Sequence, residues 1–189
     1  MVRIDVVVTR GGDTGETSLG DGTRLRKDAP RISAIGVVDE ANTAIGMLRL
    51  VVRAMAEMDA MLARVQNDLF DVGADLSVPG EAGDRLRMND APVKRLEAEI
   101  ATMNASLPKL NSFVLPAGSP GAVHAHLART IVRRAERAVA RVASEEAVTP
   151  AVLRYLNRLS DHLFTLARML NDSGTGDVLW VPGANLNIV

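Results

Sequence analysis

The chain has 189 residues, 47% of them hydrophobic and 24% charged, with a net charge of −1 and no cysteine. That length can bury a substantial core within one domain, and near-neutral charge gives no global basic field to draw the chain to nucleic acid or an anionic membrane. The missing cysteines exclude disulfides and thiolate metal sites, and charges interrupt every apolar stretch before it could span a bilayer, so a soluble cytoplasmic protein is expected.

The N-terminus shows no basic stretch followed by an apolar one, which predicts no secretory leader. A short strand is predicted over residues 4–8 (Ile-Asp-Val-Val-Val). Directly after it comes Thr9-Arg-Gly-Gly-Asp-Thr-Gly-Glu-Thr-Ser-Leu-Gly-Asp-Gly22. Glycines let backbone N–H groups converge on an anion, and Thr and Ser hydroxyls add donors or metal ligands. The segment is neither a Walker A loop nor a Gly-x-Gly-x-x-Gly fingerprint, because no Gly-Lys-Ser/Thr follows and the glycines fall at 11, 12, 15, 20 and 22. By itself it reads either as a phosphate loop of unfamiliar pattern or as a flexible N-terminal loop.

Aromatic residues are only 3% of the chain, while Ala, Leu, Met and Arg abound and strand-like alternation is nearly absent beyond residue 8. Helices packed on helices follow from that composition. A first helix is predicted over 29–53, with Asp28 as N-cap, Pro30 in the first turn and Ile32, Ile35, Val38, Ile45, Leu48 and Val52 on the inner face. A second covers 56–76 and ends at a surface loop over 79–85. A third spans 91–107, capped by Asp90 with Pro92 just inside. Ser119-Pro120 and Thr149-Pro150 mark the starts of a fourth and fifth, running to about 145 and 172. The stretch from Asp177 to Gly183 reads as a short extended closing segment. The organisation expected is one all-α domain: an irregular glycine-rich arm (1–28), a five-helix bundle (29–172) and a tail (173–189).

Several polar groups stand out. On the fourth helix Arg129, Arg133 and Glu136 share one face, opposite Leu127, Ile131, Ala135, Ala138 and Val142. They form either a solvated face with ion pairs or a guanidinium pair suited to oxyanions, and two like charges four residues apart call for an anion between them. Asp39 sits at the edge of the first helix's apolar stripe beside Gly36, Asn42 and Gly46, either half exposed or paired with an arginine of the fourth helix. On the fifth helix Leu156, Leu159, Leu163, Leu166 and Leu170 face inward, leaving Asn157, Ser160, Asp161 and Phe164 elsewhere. Phe113 lies in an apolar loop, where an aromatic is commonly core filler. His124, His126 and His162 show no metal-ligand spacing, and nothing resembles an acyl-transfer triad.

In combination and order these segments are distinctive: the loop from Thr9 to Leu19, Lys27, Ala34-Ile-Gly-Val-Val-Asp-Glu-Ala-Asn42, Gln66-Asn-Asp-Leu-Phe70, Ser112-Phe-Val-Leu-Pro116, Arg129-x3-Arg-Arg-Ala-Glu136, Tyr155-Leu-Asn-Arg-Leu-Ser-Asp161 and Leu179-Trp-x-Pro182. Over essentially its whole length the chain resembles the PduO-type ATP:cob(I)alamin adenosyltransferases. The resemblance implies a five-helix bundle assembled as a homotrimer with active sites at subunit contacts. It implies transfer of the 5′-deoxyadenosyl group of ATP to the cobalt of cob(I)alamin, with Mg²⁺, a corrinoid reductase supplying Co(I) and an adenosylcobalamin-dependent mutase receiving product. Carried over by position, Thr9, Arg10, Gly11, Gly12, Asp13, Gly15, Thr17 and Ser18 would wrap ATP, with Lys27 on a phosphate. Arg133, Glu136 and Asn157 would complete the nucleotide and Mg²⁺ environment, Asn157 near the metal. Asp39 would pair with Arg129 near the corrin, and Phe113 would lie beneath the ring. Arg10 stands where the family often has lysine, and His124 and His126 match no family role. A non-catalytic relative that binds ATP or a corrinoid for delivery or regulation is the alternative.

Overall fold

The computed structural model describes residues 7–80, 83 and 85–186. Five helices follow a two-stranded hairpin: β1 (Glu16–Ser18), β2 (Arg24–Arg26), α1 (Pro30–Val52), α2 (Ala56–Leu76), α3 (Ala91–Asn104), α4 (Pro120–Ala143) and α5 (Pro150–Leu170). The all-α bundle expected from composition is present, and four of the five helices have proline in the first turn. There the missing N–H leaves no hydrogen bond unmade and the fixed φ suits a helix start. In packing order α2 lies on α1, α1 on α4, α4 on α5, and α5 on α3. No described helix is long and apolar enough to cross a membrane.

The core is aliphatic. Ile45, Leu48, Leu62, Leu69, Leu76, Leu156, Leu159, Leu163 and Leu166 are fully buried, with Tyr155 the largest side chain among them. On α4 the inward stripe is Ala122, Ala125, Ala128, Val132, Ala135, Val139 and Val142. The sequence expectation had put Leu127 on that face, but Leu127 is 47% exposed. Small residues face inward because α4 is sandwiched between α1 and α5, and short side chains let helix axes approach closely.

Three expected caps are otherwise engaged. Asp28 receives two hydrogen bonds from Arg26, at 2.8 and 2.7 Å, and Ala29 occupies the N-cap of α1. Asp90 receives Arg154 instead of a helix N–H, and the Thr149 hydroxyl donates to Asp75 at 2.9 Å. Only Ser119 caps as expected, its hydroxyl accepting from Ala122 N at 3.1 Å. Of the strand expected over residues 4–8, residues 4–6 lie outside the described residues and Val7 and Val8 are not in a strand; the hairpin lies within and after the glycine-rich segment. The closing segment is extended as expected and pairs with the loop before α4 through Val114 and Leu179.

Candidate active site

The hairpin shapes the glycine-rich loop. Glu16 pairs with Arg26, Thr17 with Leu25 and Ser18 with Arg24. Between the strands an Asp-Gly turn is closed by Thr23 N donating to the Asp21 carboxylate at 2.8 Å, a bond that lowers the Asp21 pKa. Upstream, Arg10 and Gly15 hold positive φ, 59° and 85°, and turns close from Asp13 N to Arg10 O and from Gly15 N to Gly12 O. The second strand then returns Lys27 to the loop. Its backbone N–H donates to Gly15 O at 2.9 Å, and its amine lies so close over Gly12 that a Cβ there would sit 3.0 Å from Nζ. The amine thus packs directly over Gly12, and the loop gains its cation from fifteen residues downstream. Thr9, Arg10, Gly11, Asp13 and Ser18 are exposed around it, with Thr17 half-buried.

Sequence reasoning missed Arg24. Its guanidinium donates to Gly11 O at 2.8 Å and Ser18 Oγ at 3.3 Å, and pairs with Glu16 at 3.4 Å, stapling the loop to the hairpin. The Asp21-Gly22 turn signal between short alternating segments could have revealed that register.

A second polar surface lies where α4 meets α5. Asn157 Nδ2 donates to Glu136 Oε1 at 2.9 Å, and Arg133 Nη1 to Ser160 Oγ at 3.4 Å. Ser160, expected among outward-facing polar groups, is 3% exposed and serves as Arg133's anchor. Half-buried Arg129 donates through Nε to His126 Nδ1 at 3.4 Å. Burial first, and the Arg133 charge second, lower the Arg129 pKa. Neither arginine has a carboxylate partner among the described residues, so both charges remain available on this face. The adjacent Glu136 carboxylate and Asn157 amide oxygen suit Mg²⁺, which takes few protein oxygens together with waters and substrate phosphates. Among the described residues no group of three His, Cys, Asp or Glu side chains could hold a metal by itself.

Asp39 is exposed on α1, at the wall of a cavity of about 410 Å³ lined also by Ile35, Gly36, Asn42, Phe70 and Gly73. It makes no ion pair among the described residues, so the expected partnership with Arg129 is not formed within one chain. Phe113 is no core filler. It is 77% exposed, with its ring centroid 5.9 Å from that of Trp180. Trp180 N donates to Phe113 O at 2.8 Å, Leu115 N to Val178 O at 2.8 Å and Ser112 Oγ to Trp180 O at 2.6 Å. The chain's closing segment therefore holds an aromatic pair out to solvent. Trp180 is a second residue that sequence reasoning had not placed in the site.

The structure brings Arg133, Glu136 and Asn157 together, and separately Lys27 with the glycine loop. No hydrogen bond or ion pair joins the two groups among the described residues. Comparison with known proteins identifies the family. A cobalamin adenosyltransferase of Cupriavidus metallidurans is 48% identical over 180 residues, covering 94% of this chain and 95% of that protein. A Phe-to-Ala variant of the PduO-type ATP:corrinoid adenosyltransferase from Lactobacillus reuteri, solved with cobalamin and ATP, superimposes with a TM-score of 0.86 at 33% identity, over 92% of this chain and 98% of that one. An Arg-to-Lys variant of that enzyme, solved with ATP, matches with a TM-score of 0.85 at 34% identity, over 93% of this chain and 100% of that one. The sequence profile of the cobalamin adenosyltransferases matches residues 7–170, and the chain belongs to that family.

Proposed function

We propose that this protein is an ATP:cob(I)alamin adenosyltransferase. The Co(I) lone pair attacks C5′ of ATP, a Co–C bond forms, the C5′–O bond breaks and triphosphate leaves with the bonding electrons. No covalent catalyst or general base is needed, so the protein's work is positioning and neutralising the charge of the departing triphosphate. One observation carries the reading: two cationic elements, Arg133 beside Arg129 and Lys27 over the glycine loop, have no carboxylate partner among the described residues, and each fits a polyphosphate.

In this reading residues 9–18 wrap the nucleotide, Lys27 and Arg133 contact phosphates, and Glu136 with Asn157 holds Mg²⁺, which would spread the charge of the leaving triphosphate. Phe113, exposed beside Trp180, lies against the corrinoid and excludes an axial ligand, since Co(I) is reached more readily without one. Asp39 meets Arg129 of a neighbouring subunit. The reading includes a homotrimer with sites at its subunit contacts. The whole chain acts as one unit, arm 1–28, bundle 29–172 and tail 173–189, in the cytoplasm, fed by a corrinoid reductase and emptied by an adenosylcobalamin-dependent mutase.

Anaerobic incubation with ATP, Mg²⁺ and chemically reduced cobalamin should give the absorbance change of adenosylcobalamin formation. A binding-only relative would hold both ligands without that change. Arg133→Ala should lower kcat/KM for ATP by about a hundredfold, as expected for loss of one charge-stabilising group. An unchanged value would remove Arg133 from the phosphate site.

A further inference from the structure

His126 has a geometry that the proposed reaction does not use. Its ring lies on α4 one turn before Arg129 and is 1% exposed. Nδ1 accepts the Nε–H of Arg129 at 3.4 Å, and Nε2 is buried without a partner among the described residues. An imidazole that accepts at Nδ1 is the neutral tautomer with its proton on Nε2. Phe164 of α5 packs on the ring, centroids 6.1 Å apart and planes tilted by 59°, which limits its rotation.

A carboxylate at this position would orient Arg129 but also neutralise it. A neutral acceptor orients the guanidinium and leaves its charge available. We propose that His126 is a positioning residue, a buried neutral acceptor that aims Arg129 so that its four remaining N–H donors face the corrinoid side of the site. The inference rests on the reading in which Arg129 serves the corrinoid.

The surroundings keep the ring neutral. Burial, then the Arg129 charge, hold the His126 pKa below the ordinary imidazole value, while Asp177 of the closing segment opposes them. Asp177 is itself paired with Arg168 of α5 at 2.7 Å. Protonation at low pH would turn the acceptor into a donor and set two cations together.

Anaerobic kinetics against pH on wild type, His126→Asn, His126→Phe and Arg129→Ala test this, with the ATP Kd measured by calorimetry. Asparagine places an acceptor oxygen near the Nδ1 position and does not titrate; phenylalanine fills the space but cannot accept. His126→Phe should lower kcat/KM for the corrinoid about tenfold, the size expected for a hydrogen bond to a charged group, with the ATP Kd within about twofold. His126→Asn should recover most of that loss and lack the acid limb expected of wild type below the imidazole range. Wild-type corrinoid kinetics in His126→Phe, or an equal loss of ATP affinity, overturns the proposal. If His126→Phe does not fold, an acid limb surviving in His126→Asn overturns it. Unchanged corrinoid kinetics in Arg129→Ala removes the site reading and this inference with it. An impaired Arg129→Ala beside an unaffected His126→Phe removes the inference alone.

Discussion

Burying a carboxylate is costly unless donors surround it, and Asp68, 6% exposed between α2 and α5, illustrates how this bundle meets that cost. The Tyr155 hydroxyl donates to its Oδ2 at 2.9 Å and Arg95 reaches the same oxygen. Desolvation still outweighs them, holding the Asp68 pKa above the ordinary value, and burial with the Asp68 charge pushes the Tyr155 phenol well up. Because the folded pKa is raised, the stability Asp68 contributes is full below the ordinary carboxylate value and falls as pH rises through the folded one. Tyr155 works against that fall by stabilising the ionised form. Tyr155→Phe should therefore cost about 2 kcal/mol at pH 7, the scale of a buried hydrogen bond to a charge, and less at pH 4. Urea midpoints at the two pH values measure both; equal deficits would mean that Tyr155 does not bond an ionised acceptor.

At the level of elements, the start of α4 and the end of α5 form one junction that carries the aromatic loop. Ser119 N donates to Asn171 Oδ1 at 2.9 Å, Ser119 Oγ to Leu170 O at 2.8 Å, and Asn171 Nδ2 to Ala117 O at 3.1 Å. Gly118, at φ +106°, makes room for the Asn171 side chain, into which any Cβ would run. Ser119→Ala should cost about 1 kcal/mol, an ordinary cap loss. Gly118→Ala should cost at least twice that, because it adds backbone strain and displaces Asn171. Thermal unfolding compares the two, and a Gly118→Ala loss no larger than that of Ser119→Ala would place the junction's strength elsewhere. This junction also shows what was legible in the sequence. Pro120 and Pro150 marked helix starts correctly because φ is a property of the residue itself. The caps at Asp28 and Asp90 were misjudged because Ala29 takes the N-cap of α1 and each carboxylate bonds an arginine. Arg154 is 64 residues from Asp90, a separation on which local pattern is silent. Phe113 likewise gave no local sign of exposure, since its partner Trp180 arrives from the far end of the chain.

Across the whole molecule, the two cationic elements pose a question of assembly. The hairpin holding Lys27 is fastened through Gly20 N to Ser77 O at the end of α2, whereas Arg133 stands on α4 beside α5. If one nucleotide engages both, the loop of one subunit must meet the α4 face of another, and every site needs two chains. Closed symmetric oligomers satisfy that geometry by repeating a single heterologous contact. The consequence is complementation. Lys27→Ala and Arg133→Ala homo-oligomers should be nearly inactive, each with its one defect in every site. In mixed oligomers made from equal amounts of the two, a site with the intact loop of one chain and the intact arginine of the other arises in about a quarter of random pairings. The mixture should then recover up to about that share of wild-type activity after joint unfolding and refolding, and none when the pre-folded variants are combined without exchange. A site contained in one chain predicts no recovery by either route, because each chain would carry its own defect into every site it forms.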